Sequence, residues 1–351
     1  MSPSPRRPTL ADRLQREWLN GGPLSAALLP LSGLYRGLLA LRTLAYRLGL
    51  QRTETLPVPV IVVGNWIVGG AGKTPTTLAL LQLLQARGLR AGVVSRGYGR
   101  EGDDVCLAGP ASTARQLGDE PLLIHRRGRV PVAVGADRVA AARALLAAHP
   151  ELDLLVSDDG LQHWRLPRQL SILVFDERGL GNGRLLPAGP LRQPPQAARD
   201  DQLVVYNAPT PSTALPGFVA QRQLAGAVPL AAWWAGEAAS MEALLALRGQ
   251  PGLVACAGLA RPQRFFDMLS GLGLVFTPLA LPDHADFSAL PWPAEATGVL
   301  VTEKDAVKLP PERMGSTPVW VVTLDFAPGA GFEAALDRQL QRLSLPRWTH
   351  A

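Results

Sequence analysis

Gly72-Lys73-Thr74 closes a glycine-rich stretch, Ile67-Val68-Gly69-Gly70-Ala71-Gly72-Lys73-Thr74, placed between a β-branched run and a helical pattern. Glycines let consecutive backbone N–H groups turn toward one anion, and the helix N-terminus adds its partial positive charge. A lysine at that point reaches the β- and γ-phosphates of a nucleotide, and the threonine hydroxyl is a Mg²⁺ ligand. The strict phosphate-loop pattern has its first glycine at position 67, which is Ile67 here. Lysine occurs only three times, at 73, 304 and 308, among 35 basic residues. One of three falling at the required offset after a strand argues against coincidence.

Carboxylates supply the second half of such chemistry. Asp158 and Asp159 end an apolar run in the manner of a strand-end acid holding Mg²⁺. Paired acids there also cap a following helix. Gln162 and His163 come next. Gly118-Asp119-Glu120-Pro121 places two more acids in a turn. Asp119 there is either a base for an acceptor hydroxyl or ordinary turn chemistry. His284, in Asp283-His284-Ala285-Asp286-Phe287, suits proton transfer, although a lone histidine is more often structural.

The elements that position these residues follow from the hydrophobic pattern. Strands are expected at 60–63, 91–95, 130–134, 152–156, 170–175 and 202–206, with helices over 77–86 and 138–148. Strands alternating with helices predict a doubly wound, mostly parallel α/β sheet, with ligands at the carboxyl ends of its strands. Residues 179–195 read as a long loop and 207–219 as a linker. A second, smaller α/β unit follows, with strands at 253–257, 299–302 and 319–322 and helices over 262–272 and 332–343. The expected division is 1–50, an N-terminal helical segment on the membrane; 51–220, a phosphate-loop domain; and 221–351, a domain closing over the active site.

Residues 24–35 are mostly apolar and uncharged, and Arg36, Arg42 and Arg47 interrupt the pattern beyond them. Twelve residues fall well short of the roughly 20 that span a bilayer. On a helix, Leu34, Leu38, Leu41, Ala45 and Leu48 form one face, with Arg36 and Arg47 opposite and Arg42 flanking. Such a helix lies in the interface with its arginines at anionic headgroups. The alternatives are a signal peptide, for which no small-residue cleavage site follows, packing on the domain, and a true span.

The formal charge of +6 over 351 residues favours anionic partners. Arginines are spread without a basic block, and aromatic interleaving is absent, which argues against nucleic acid. Cys106 and Cys256 stand far apart, so neither a disulfide framework nor a thiolate zinc site is expected.

Seven motifs in order, GGAGKTP, SRGYGR, GDEP, SDDGLQH, GNGRLLPAGPLR, DHADF and TEKDAVK, resemble the tetraacyldisaccharide 4′-kinase family of lipid A biosynthesis. The resemblance runs from about residue 24 to 308. It implies transfer of the ATP γ-phosphate to the 4′-hydroxyl of a tetraacylated disaccharide 1-phosphate, at the cytoplasmic face of the bacterial inner membrane. It implies ATP on Ile67–Thr74, Mg²⁺ at Thr74, Asp158 and Asp159, Asp119 as base with His284, and Lys73 on the transferred phosphate. Arg96 and Tyr98, with Glu120, Gln162 and His163, are the expected acceptor contacts, and the expected state is a monomer. Gln193 departs from the family, which usually has glutamate after GPLR. The competing readings are a deviant phosphate-loop ATPase switch, whose early signature lysine would fall at Val68, and a membrane-surface scaffold with a vestigial nucleotide site.

Overall fold

The structure, a computed structural model, describes residues 10–343 and Leu345. The first nine residues of the expected N-terminal segment, and the last few of the expected C-terminal domain, lie outside the described residues. Two compact units are formed. One contains the chain up to Thr76, Asp159–Ala220 and Pro328–Leu345; the other contains Thr77–Asp158 and Gln221–Ala327.

In the first unit the strands run Val60–Gly64, Leu170–Asp176, Gln202–Asn207 and Phe218–Val219, all parallel. Val60–Gly64 and Leu170–Asp176 are buried along their whole length, as unalternating apolar strands in a covered parallel sheet must be. Gly64 admits Leu161: a Cβ there would stand 2.7 Å from the leucine Cβ. The helix Phe332–Arg342 seats Phe332 edge-on against Phe218.

The N-terminal chain forms helices Leu10–Asn20, Pro23–Ala27 and Leu29–Arg47. Their polar side chains grip the 182–192 loop. Trp18 Nε1 donates to the Pro187 carbonyl at 2.9 Å, Ser32 Oγ to Leu185 at 2.9 Å and the Tyr35 hydroxyl to Arg192 at 2.8 Å. Arg42 donates to the Gln162 carbonyl and lies over the Trp164 ring. The opposite face is bare: Leu31, Leu34, Leu38, Leu41 and Leu48 are 53–64% exposed. No described helix is long and apolar enough to cross a membrane.

In the second unit one group of strands runs Cys106–Leu107, Val132–Val134, Ala91–Ser95 and Leu154–Asp158, parallel except for the short first strand. A separate sheet runs Thr277–Ala280, Leu253–Ala257, Gly298–Thr302, Val319–Ala327 and Gln221–Pro229, of which only the last pair is antiparallel.

Several boundaries differ from expectation. The strands expected from 130 and 152 begin at Val132 and Leu154, because the residues before them lie in the turns that enter the sheet. Asp158 is therefore the last strand residue. The helix expected from 77 begins at Lys73, since Gly72 (φ +98°) makes the turn and Pro75 is tolerated in a first helical turn. Asp119 and Glu120 form the first turn of a helix, Asp119–Gly128, rather than a free turn. Within the expected linker, Phe218–Val219 pairs as an edge strand.

Candidate functional site

Four successive carbonyls of the phosphate loop are held by side chains. Arg178 donates Nη1 to Val68 O and Nη2 to Gly70 O, both at 3.1 Å. Asn65 Nδ2 donates to Gly69 O at 3.3 Å, and Asn207 Nδ2 to Ala71 O at 2.8 Å. In a trans peptide the N–H points opposite to the C=O of the same unit. Holding the carbonyls of residues 68–71 therefore turns the N–H groups of Gly69, Gly70, Ala71 and Gly72 the other way, which is an anion nest. Gly69 (φ +95°) and Gly72 (φ +98°) adopt backbone that a Cβ resists. Arg178 is itself fixed by Asp176, whose two oxygens accept from its Nε at 3.0 and 2.9 Å. Ile67 is fully buried and bridges to Leu191, so the position of the missing glycine anchors the loop instead.

Lys73 follows the nest, 8% exposed, with Nζ 3.5 Å from Gly69 O and 3.9 Å from Asp159 Oδ1. Asp159 (φ +53°) also accepts from Arg192 Nη1 at 2.8 and 3.1 Å. Arg192 bonds the Gln162 side chain at 3.3 Å, and Gln162 Nε2 donates to Gln193 Oε1 at 3.1 Å. Gln193 thus provides a neutral acceptor for Gln162. Asp158 is buried to 1% exposure and accepts from Thr77 Oγ1 at 3.2 Å. Thr74, at the helix start, is half-buried. Thr74 and Asp159 in one unit, and Asp158 in the other, each offer a hard oxygen of the kind Mg²⁺ takes alongside phosphate oxygens.

In the second unit two glycine turns bring the SRGYGR and GDEP segments together. A Cβ on Gly118 would lie 2.9 Å from Tyr98 O, and one on Gly97 2.7 Å from Leu117 O. This contact sets Asp119 beside the Tyr98 loop. His284 Nδ1 lies 3.0 Å from Asp119 Oδ2, and the imidazole sits 5.6 Å from the Tyr98 ring. His284 Nε2 faces the Lys304 ammonium at 3.5 Å. An ammonium only donates, so this side of the ring is the acceptor and Nδ1–H is donated to Asp119. Lys304 Nζ also reaches Asp283 at 2.8 Å and Glu120 at 3.7 Å, and Lys308 Nζ lies 3.5 Å from Asp119 Oδ2.

These charges act on Asp119 and Lys304. Burial pushes the Asp119 carboxyl up. The His284 hydrogen bond and the Lys308 and Lys304 charges outweigh that push and hold it below the usual carboxylate range. Burial would lower Lys304, but Glu120, Asp283 and Asp119 hold it above the ordinary lysine value.

The expected residues thus fall into two groups. Ile67–Thr74, Asp159 and Gln162 assemble in one unit; Asp119, Glu120, Tyr98 and His284 assemble in the other. Arg96 is exposed just beyond the strand Ala91–Ser95, and His163 is half-buried. Arg178, Asn207, Arg192, Lys304 and Lys308 were not among the expected site residues. Arg192, Lys304 and Lys308 lie inside the GPLR and TEKDAVK motifs, so a signal existed for them. Arg178 and Asn207 carry none that pattern reading detects.

A glycine-rich nest at a strand-to-helix turn, a lysine at its end and a strand-end aspartate define a phosphate-loop nucleotide-binding protein. The other unit carries a carboxylate hydrogen-bonded to an imidazole. The family model described as tetraacyldisaccharide-1-P 4′-kinase (LpxK) matches residues 24–341. The tetraacyldisaccharide 4′-kinase of Methylibium petroleiphilum is 54% identical over 348 residues, covering 97% of each chain. That of Leptothrix cholodnii is 56% identical over 322 residues, covering 90% of this chain and 92% of its own. The crystal structure of the "apo" form of LpxK from Aquifex aeolicus in complex with ATP superposes with a TM-score of 0.74 at 29% identity, covering 92% of this chain and 99% of that one. The chain belongs to the tetraacyldisaccharide 4′-kinase family.

Proposed function

We propose that this chain transfers the γ-phosphate of ATP to the 4′-hydroxyl of a tetraacyldisaccharide 1-phosphate, with Asp119 as base and His284 as its partner. The Asp119–His284 hydrogen bond, 3.0 Å long, carries this reading over an ATPase switch. A switch needs an oriented water, whereas an alcohol acceptor is too weakly acidic to ionise and needs a positioned base. As the 4′-oxygen forms its bond to the γ-phosphorus, the bond to the ADP oxygen breaks. The hydroxyl proton passes to the Asp119 carboxylate, and His284 steadies that carboxylate through Nδ1–H.

The nest at Ile67–Thr74 holds the nucleotide phosphates, and Lys73 neutralises charge on the transferred group. Thr74, Asp158 and Asp159 would hold Mg²⁺, which would offset the charge on the nucleotide phosphates. Arg192 and Lys73 keep Asp159 in place. Arg96 pairs with the acceptor's 1-phosphate, and Tyr98, Glu120, Gln162 and His163 complete the acceptor contacts. Residues 1–50 anchor the protein, residues 51–220 bear the nucleotide site, and 221–351 supply His284. The bare leucine face of Leu29–Arg47 supports peripheral binding to a membrane surface; the resemblance implies the cytoplasmic face of the inner membrane, with the chain acting as a monomer.

The test is a double-mutant cycle on turnover with the lipid acceptor. Asp119→Ala and His284→Ala each lower kcat strongly, and the double variant falls little further. ATP binding survives in all three. Multiplicative losses would show that the two residues do not act as a unit.

A further inference from the structure

We propose that Lys308 is a positioning residue of this kinase: its buried ammonium keeps the Asp119 carboxylate ionised and aimed for receipt of the acceptor's proton. The proposal rests on the reading of Asp119 as base.

Lys308 follows Lys304 by four residues, just beyond the Glu303–Ala306 helix, and both ammonium groups reach the Asp119–His284 pair. Their surroundings differ. Lys304 Nζ is engaged at 2.8 Å by Asp283, with Glu120 at 3.7 Å. The Lys308 side chain is only 6% exposed, and its Nζ stands 3.5 Å from Asp119 Oδ2 and 3.4 Å from Asp305 Oδ1. The Phe287 ring closes the site, its centroid 5.1 Å from Nζ. At these distances and angles Nζ makes no hydrogen bond. A buried ammonium is costly unless it is bonded.

A lysine serving only as counter-ion would close on Asp305. Instead it stands almost midway between two carboxylates. Asp305 has other hydrogen bonds, accepting from Thr302 Oγ1 at 2.7 Å and from Gly258 N at 3.1 and 3.2 Å, while burial raises its carboxyl against the opposing Lys308 charge. Asp119 has fewer partners. Among the described residues its side chain meets His284 and Lys308, with the Lys304 charge further off.

Toward Asp119 stand His284, Lys308 and Lys304; toward Lys304 and His284 stand Asp283 and Glu120. Around Lys308 stand Asp119, Asp305 and the Cys256 thiol, which burial pushes up to about 12 and leaves uncharged. Burial is the largest single influence on the Asp119 carboxyl, and it favours the protonated form. A protonated carboxyl cannot accept the acceptor's proton. A cation in the same dry pocket reverses that bias without occupying the hydrogen-bonding position that His284 uses. In this role Lys308 acts as a charge and neither gives nor takes a proton in the transfer.

The experiment is the pH profile of kcat/KM, with ATP and a lipid disaccharide 1-phosphate, for the full chain and four variants. The acid limb reports the Asp119–His284 pair as a unit. In Lys308→Met the limb moves to higher pH by about one unit, the size of shift a close cation produces on a carboxylate. The KM for ATP stays unchanged. Asp305→Asn, which removes the other carboxylate from the lysine, leaves the limb in place or moves it lower. Lys308→Met/Asp305→Asn neutralises both buried charges, so its fold carries no stranded carboxylate, and it keeps the raised limb. Limbs of Lys308→Met and the double variant that coincide with the parent overturn the proposal. So does an Asp305→Asn limb raised as far as that of Lys308→Met, which would make the lysine a counter-ion of Asp305 alone. Asp119→Asn separates the two readings. If it turns over normally, the base assignment falls and this proposal with it. If it is inactive while Lys308→Met has the parent's limb, only the lysine proposal fails.

Discussion

Arg178→Ala tests how the phosphate loop gets its shape. The guanidinium holds two loop carbonyls at 3.1 Å and is clamped to Asp176 at 2.9 Å. The Asp176 side chain is 3% exposed and that of Arg178 22% exposed. Removing one partner of a buried pair costs about 3–5 kcal/mol. With the arginine partly open to solvent, the lower end, about 3 kcal/mol, is expected. The effect on ATP is separate. Val68 and Gly70 lose their anchors and must be ordered when the nucleotide binds, at about 1–2 kcal/mol per residue. Two residues give about 2–4 kcal/mol, a roughly 30- to 1,000-fold weaker ATP affinity. Isothermal calorimetry gives the affinity, and urea unfolding with and without ATP gives the stability. Arg178→Lys keeps the charge but not the fork, and falls between the two. An Arg178→Ala protein that binds ATP within about threefold of the parent would refute the claim that these bonds build the nest.

Lys73→Ala lowers phosphoryl transfer by at least about 100-fold while the melting curve stays that of a folded protein, because the lost charge acts on the transferred group; a smaller loss measured in the acceptor assay would displace Lys73 from that role. Leu34→Ser/Leu38→Ser/Leu41→Ser removes three leucines that are 57–64% exposed. At about 1–2 kcal/mol each, binding to anionic vesicles weakens by a factor of roughly 100 or more in flotation assays, and unchanged flotation would remove the anchor. Asp119→Asn tests the depressed carboxyl. A group whose folded pKa is lowered contributes stability above its unfolded pKa and loses it as pH falls through the folded value. The melting-temperature gap between parent and variant is therefore fullest above about pH 5 and shrinks below about pH 4; a gap that widens on acidification contradicts the assignment.

The strand cores at 91–95 and 253–257 and the helix Arg138–Ala148 were legible because apolar runs and alanine-rich helices state their own period. Gly72-Lys73-Thr74 was legible because lysine is scarce. The short edge strands Cys106–Leu107 and Phe218–Val219 were not, since two residues hold no period. The antiparallel strand Gln221–Pro229 was missed because its burial alternates only in part and Gly226 and Pro229 read as breakers. At the site, His284 was a weak candidate until the resemblance brought it to Asp119, for a lone histidine in a loop carries no local signal. Arg178 and Asn207 act more than 100 positions along the chain from the loop they hold, and only tertiary structure brings a donor to a particular carbonyl. Arg192, Lys304 and Lys308 sat in quoted motifs without a role, because pairing with Asp159, Asp283 or Asp119 is settled by distance alone.

The most direct test of the account is the fate of the γ-phosphate. Purified full-length protein is incubated with γ-labelled ATP and Mg²⁺, with and without a tetraacyldisaccharide 1-phosphate in mixed micelles. The account predicts label in the lipid at the 4′-oxygen, matched mole for mole by ADP, and almost no ATP consumption when the acceptor is omitted. ATP hydrolysed to free phosphate at the same rate in both tubes, with the lipid unlabelled, would contradict it.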